Sequence, residues 1–229
     1  MNLYSLSLHS NESSFAFTEA LANVVVGGVG LLLTGRTAGL PLDLFALSGA
    51  TQVCAKAFTS LALAAGVSFP VVTLAKSGKM VPVMIGSLLL GGASYTLREY
   101  ASVAAIIAGT TIVSTGKKSS GPASSTLGIL FVVLSLVCDG ITGGVQKRLK
   151  AKAKENKAEP KPYDLMFWTN LFMAITAGVF ALALQEFNSG IAFCVKNPVI
   201  FGKILKFAVC SAVGQSFIFY TIANFDPLV

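Results

Sequence analysis

Long apolar runs alternate along this chain with short polar breaks. Seven runs are legible, over residues 15–33, 42–65, 69–90, 97–115, 124–145, 165–184 and 199–223. Most approach the roughly 20 residues that a helix needs to cross the ~30 Å hydrocarbon layer of a bilayer. The breaks carry turn chemistry: Thr34-Gly35-Arg36, Gly91-Gly92, and the Ser/Gly/Pro-rich stretch 116–125. The pattern predicts an all-α, polytopic integral membrane helix bundle of about seven transmembrane helices. Residues 1–229 read as one transmembrane domain, interrupted by the basic stretch 147–163 between two halves.

Composition points the same way. Of the 229 residues, 54% are hydrophobic and 12% charged, with a mean hydropathy of +0.74. Soluble domains carry about 25% charged residues, and surface-to-volume scaling would leave too much of this apolar surface in water. Small residues fill the second run (Ala62, Ala64, Ala65, Gly66) and the fourth (Ala101, Ala104, Ala105, Ala108, Gly109). They serve either close helix–helix approach or as lipid-compatible filler, and the sequence leaves both readings open. Gly27-Gly28-Val29-Gly30 reads as a membrane-helix packing cluster rather than a phosphate loop, since no Lys-Ser/Thr follows it.

The formal charge of +7 is unevenly placed, because seven of the 17 basic residues lie within 147–161. That is the signature of a cytosolic loop, and no aromatic residues interleave with the basic ones as a base-stacking groove requires. Nucleic acid is therefore not an expected partner; the bilayer is. The loop is expected to extend the fifth helix into water and fray before Pro160 and Pro162. Alternation then assigns Arg36 and Arg98 to the cytosol and Lys117, Lys118 and Lys196 to the lumen, with Met1 and the sequon Asn11-Glu12-Ser13 luminal and Val229 cytosolic. The four cysteines form no C-x-x-C pair and have one His9 for company, so neither a metal site nor a disulfide framework is expected. No cofactor is implied, and no nucleophile–base pair suggests an enzyme.

Four charges fall where charge is costly. Lys56, Lys76, Lys79 and Asp139 lie inside apolar runs, and each costs roughly 2.5–3.5 kcal/mol at the centre of a bilayer on insertion scales. Lys76 and Lys79 are three apart, which would place them on one helix face. Gln52 and Lys56 share another. Asp139, Thr142 and Gln146 make a polar stripe, while Gln215 and Ser216 put amide and hydroxyl groups deep in the seventh run. Glu19 lies nearer a run's end and is assigned to the interface. The excess of lysines over aspartate suits a wet cavity for an anionic, phosphate-bearing solute. The competing reading is a Lys–Asp pair that only fixes helix packing.

These residues sit in recognisable words. Ala75-Lys76-Ser77-Gly78-Lys79-Met80-Val81-Pro82-Val83-Met84, Asp139-Gly140-Ile141-Thr142-Gly143-Gly144-Val145-Gln146, Asn170-Leu171-Phe172 and Ser211-Ala212-Val213-Gly214-Gln215-Ser216-Phe217-Ile218-Phe219 occur in that order. They resemble helices four, six, seven and eight of the UDP-galactose transporter-type nucleotide-sugar transporters, in the drug/metabolite transporter superfamily. The resemblance implies a ten-helix fold of two inverted five-helix repeats around a central cavity. It also implies exchange of a cytosolic nucleotide sugar for a luminal nucleoside monophosphate by alternating access, in the endoplasmic reticulum or Golgi membrane. By position, Lys76 and Lys79 would contact the diphosphate or its neighbourhood. Asp139, Gln146, Asn170, Gln215 and Ser216 would line the cavity, and Lys56 joins them as an intramembrane lysine.

There are departures. Val72 stands where relatives often have Gln, and Asp226 where they have Gly. The family's first helix has no counterpart, and Pro227-Leu228-Val229 arrives before its ninth, so the chain is expected to be truncated at both ends and to insert without transporting. Within transport, UDP-galactose or UDP-glucose antiport is the first expectation and adenine-nucleotide (ATP/ADP) exchange across the endoplasmic-reticulum membrane the rival. A non-transporting membrane isoform is the reading from another class, and a homo-oligomer is left open.

Overall fold

The computed structural model describes residues 12–92, 94–116, 126–158, 160–183 and 186–225, and among them the backbone forms helices and no strand. In chain order these are α1 (Glu12–Thr34), α2 (Leu42–Ala64), α3 (Phe69–Ser77), α4 (Met80–Leu89), α5 (Leu97–Gly116), α6 (Thr126–Glu155), α7 (Pro162–Ala183), α8 (Glu186–Lys196) and α9 (Pro198–Asn224). The all-α membrane bundle expected from the apolar pattern is what forms. His9, Asn11 of the sequon, Lys117, Lys118 and 226–229 lie outside the described residues.

Each apolar run becomes helical. Ala16–Thr34 of α1, together with α6, α7 and α9, is long and apolar enough to cross a membrane, and α3 with α4 makes a fifth candidate bent by 44°. The other two expected spans, α2 and α5, form helices of 23 and 20 residues. Gln52 and Lys56 in one, and Arg98, Glu99 and the hydroxyl residues in the other, make them less apolar. The 11-residue α8 forms in the stretch between the sixth and seventh apolar runs, where no element is expected.

The chain divides into two compact units, Met1–Val53 with Leu149–Pro227 and Val229, and Cys54–Arg148 with Leu228. In the first, α1 lies against α7. The contact is made by the glycine cluster, where a Cβ on Gly27 would come within 3.0 Å of the Phe167 backbone nitrogen and one on Gly30 would collide with the Tyr163 ring. The packing role expected of that cluster is therefore realised. Gly49 of α2 meets Met173 and Phe172 of α7 in the same way, at 2.8–3.0 Å. Ala16, Ala20, Val53, Met173, Ala174 and Ala177 form the adjacent core, with Phe17 packed on it.

The basic stretch extends the fifth-run helix as expected and is mostly exposed, but its end is held rather than frayed. Helix α6 runs to Glu155, and the residues after it fold back onto the α1–α2 connector. The Lys161 ammonium donates to the carbonyls of Thr34 and Gly35 at the end of α1. Lys150 donates to Ile222 O at 2.8 Å and Phe225 O at 2.6 Å at the end of α9. The last carbonyls of a helix have no partner inside it, and a cation there gains about 0.3–1 kcal/mol from the helix dipole. Lys152 pairs with Asp43 at 3.2 Å, and Asn156 donates to Gly39 O at 3.2 Å. Asp164, wholly buried, accepts from Thr37 Oγ1 at 2.5 Å, Thr37 N at 3.3 Å and the Lys161 backbone N–H at 3.2 Å. The last bond is the reciprocal half of a capping box at the start of α7. Arg36 lies 5.0 Å above the Trp168 ring. Arg36, Lys150, Asn156, Lys161 and Phe225 thus share one end of this unit, as alternation of the helices requires.

In the second unit, Gly128 of α6 rests against Val67, Ala62 and Ala65, beside a core of Ala62, Val67, Val72 and Val132. Ala64 is exposed and nothing lies within 4 Å of a Cβ placed on Gly66, but Ala62 and Ala65 of the second run are packing residues. Those of the fourth are not: Ala101, Ala104, Ala105 and Ala108 are exposed, and nothing lies within 4 Å of a Cβ placed on Gly109.

Candidate functional site

The second unit gathers Lys56, Lys76, Lys79, Asp139 and Gln146. Its defining feature is the break between α3 and α4. The run 69–90 reads as one segment, but Pro82 lacks an N–H and its ring opposes the carbonyl four residues back, that of Gly78. The chain responds with three-residue hydrogen bonds, Gly78 N to Ala75 O at 3.1 Å, Lys79 N to Lys76 O at 3.2 Å and Val81 N to Gly78 O at 3.2 Å. The regular four-residue bond resumes with Val83 N to Lys79 O at 3.1 Å.

The two lysines, read as part of one helix, belong to two. Lys76 belongs to the last turn of α3, and Lys79 stands at the N-terminal cap of α4. Lys76 Nζ donates to Asp139 Oδ2 at 3.3 Å, with side chains 29% and 21% exposed. Lys79 is exposed and Lys56 half-buried. Of the two readings left open for the buried charges, a Lys–Asp pair is present, and Lys79 stands outside it.

Asp139 is held in place by backbone. Gly140 follows it, and a Cβ there would sit 2.5 Å from the Pro82 carbonyl oxygen of α4. A Cβ on Gly86 would collide with the Gly140 carbonyl, and one on Gly144 with the Gly86 carbonyl. Only glycine permits this approach of α4 and α6. Thr142, one turn beyond Asp139, is buried with its hydroxyl on Cys138 O at 2.9 Å, and Gln146 is half-buried. The charge-based reading missed a hydroxyl relay in the same unit: Thr59 and Ser135 share a hydrogen bond of 2.8 Å, and Ser135 donates to Ala55 O at 2.7 Å. Its only signal is two small polar residues in apolar runs.

The other expected site residues, Asn170, Gln215 and Ser216, belong to the first unit. Asn170 is 3% exposed; its Nδ2 donates to Met166 O at 2.8 Å and its Oδ1 accepts from Asn23 Nδ2 at 3.0 Å. This α1–α7 amide pair, with Asn23 unmarked beforehand, leaves Asn23 Oδ1 buried and without a described partner. Ser216 donates to Ala212 O at 2.9 Å and meets Met166 Sδ at 3.5 Å, and Gln215 is half-buried beside it. Glu19, expected at the interface, accepts from Ser211 of α9 at 2.9 Å. Among the described residues no group of three His, Cys, Asp or Glu could hold a metal.

Comparison with known proteins gives this arrangement a context. The model of the UAA transporter family matches residues 14–229. The chain is 35% identical over 181 residues to the Solute carrier family 35 member B1 homolog of Drosophila melanogaster, covering 78% of this chain and 52% of the relative. It is 33% identical over 203 residues to UDP-galactose/UDP-glucose transporter 3 of Arabidopsis thaliana, covering 85% and 60%. It is 34% identical over 167 residues to Adenosine 3'-phospho 5'-phosphosulfate transporter 1 of Drosophila melanogaster, covering 71% and 35%. The chain thus spans about half the length of the curated relatives it matches.

Proposed function

We propose a function for this chain on one premise: it belongs to the UAA transporter family, a family of transporters and not of enzymes. It supplies part of the binding site of a carrier that takes a nucleotide sugar, UDP-galactose or UDP-glucose, from the cytosol into the lumen of the endoplasmic reticulum or Golgi. A nucleoside monophosphate returns in exchange, by alternating access. The observation that supports this reading most is the broken α3–α4 segment. It presents Lys76 and Lys79 on two separate helices within apolar sequence, which suits a solute bearing two linked phosphates. Lysine is a compact point charge that can follow a phosphate through a change of conformation. Adenine nucleotides are the second reading, supported by the comparable identity to a relative named for adenosine 3'-phospho 5'-phosphosulfate.

Thermal stabilisation of the purified chain by UDP-galactose, ATP and adenosine 3'-phospho 5'-phosphosulfate separates the substrates, since a ligand bound only by the folded state stabilises it by RT ln(1 + [L]/Kd). UDP-galactose is expected to stabilise most, and Lys79→Ala to lose the effect while folding normally, because Lys79 is exposed. Lys79→Arg should recover only part of it. Equal stabilisation of wild type and Lys79→Ala would remove the phosphate role from Lys79. No stabilisation of the wild type by any of the three would remove the proposed function.

A further inference from the structure

The Lys76–Asp139 contact has a feature that a packing bridge would lack. A buried pair kept for stability needs close, well-aligned hydrogen bonds to offset its desolvation. Here a single contact of 3.3 Å joins two side chains that keep 29% and 21% of their exposure. Charge-assisted N–H···O bonds usually fall near 2.7–2.9 Å. The bond is long, monodentate and only partly covered by the protein.

The two partners are unequally held. Asp139 adjoins Gly140, whose backbone lies against Pro82 O too closely to admit a methyl group, so the carboxylate's position follows from the α4–α6 crossing. Its short side chain has little reach. Lys76 sits in the last turn before the 44° bend, on a four-carbon stem that can swing. The ammonium is the movable half of the pair.

Resting on the nucleotide-transport reading above, we infer that Asp139 is a resident counter-anion. It occupies Lys76 while the protein is empty and yields the ammonium to the phosphates of an incoming nucleotide. A diphosphate carries more negative charge and more acceptor oxygens than one carboxylate, and Lys79, exposed on the far side of the bend, adds a second cation to the attraction. The role of Asp139 is to set affinity. It holds Lys76 neutralised in an apolar setting and taxes binding by the fraction of molecules in which the lysine is engaged.

The size of that tax is calculable. If Lys76 is engaged in about nine of ten empty molecules, freeing it tightens nucleotide binding about tenfold, because apparent affinity scales with the competent fraction. Binding of UDP-galactose and of uridine, which has no phosphate, is measured by thermal shift on the full chain with Asp139→Asn. The expected result is about tenfold tighter UDP-galactose binding with uridine unchanged. Unchanged or weaker UDP-galactose binding, or parallel changes for both ligands, would overturn the inference and leave Asp139 a packing residue. If Asp139→Asn does not fold, the double variant Lys76→Gln/Asp139→Asn, which orphans no charge, is compared with Lys76→Gln. Weaker UDP-galactose binding than wild type, equal in Lys76→Gln and the double variant, supports the counter-anion, because Asp139 then acts only through Lys76. Wild-type binding by Lys76→Gln, or tighter binding in the double variant than in Lys76→Gln, overturns it. Failure of the wild type to bind any nucleotide is a separate outcome, and it refutes the transport reading instead.

Discussion

Gly140→Ala tests the backbone crossing on which the position of Asp139 depends. The new Cβ would lie 2.5 Å from Pro82 O, 2.9 Å from Pro82 C and 3.1 Å from Pro82 Cβ, and the first two are backbone atoms that cannot rotate away. Real Cβ atoms essentially never approach closer than 3.0 Å, so α4 and α6 must part by at least about half an ångström. A gap of that size forfeits about a quarter of each dispersion contact, and Val83, Gly86, Leu90, Gly143 and Gly144 all lie along the seam. Overpacking costs about 1–3 kcal/mol. Alanine returns up to about 1 kcal/mol through its better helix propensity.

The net expectation is a loss of about 1–2 kcal/mol, or a Tm lower by about 3–6 °C for a protein of this size. The matched control is Gly109→Ala, where nothing lies within 4 Å of the added methyl group. It receives the propensity gain alone and should be neutral or slightly stabilising. Both variants are unfolded thermally in the same detergent, so the micelle cancels from the comparison. Equal midpoints, within about 1 °C, would show that the α4–α6 approach is not tight and would remove the stated reason for Asp139 being fixed.

Two further outcomes follow from the first unit. Asp164→Asn keeps the shape but presents a donor where Thr37 and the Lys161 N–H both need an acceptor; it should cost about 2 kcal/mol, a Tm drop of about 4–8 °C, and a drop under 1 °C would refute the capping role. Lys154→Cys in a Cys-free background should react with an impermeant maleimide from the cytosolic side only, since Lys154 is exposed within the basic stretch, and labelling solely from the lumen would invert the topology.

Apolar run length predicts the helical stretches well because lipid-scale segments are the strongest signal a single sequence carries. What the sequence concealed has identifiable causes. The break at Gly78 is written in Pro82, four residues downstream, but proline is common enough in membrane helices that it did not mark a bend. Lys76 and Lys79 therefore looked like neighbours on one face. The stretch 147–161 looked uniformly solvated because charge dominates its composition, yet Ala153 is wholly buried and Lys150 and Lys161 cap other helices. Those partners lie 72 and 127 positions away, beyond any local pattern. Asn170 stands in a family word, whereas its partner Asn23 carries no signal, because one amide among small apolar residues has no periodicity of its own.

The bend between α3 and α4 also bears on which parts move. Irregular backbone in a membrane is tolerated where its polar groups are satisfied or line a cavity. Here Gly78, Lys79 and Val81 find carbonyls three residues back, and Pro82 has no N–H to satisfy. The hydroxyls of Thr73 and Ser77 return to Phe69 O and Thr73 O at 2.9 and 3.0 Å. The break thus needs neither ligand nor water at these positions. It is set by the proline ring. Opening it to a straight helix would bring the Pro82 ring against Gly78 O, at a cost of ~3 kcal/mol or more. Rotation about the side-chain bonds of Lys76 costs less, of order 1 kcal/mol in rotamer freedom. The Lys76 side chain is therefore the more mobile part of this unit, while the proline and the glycines place the backbone around it.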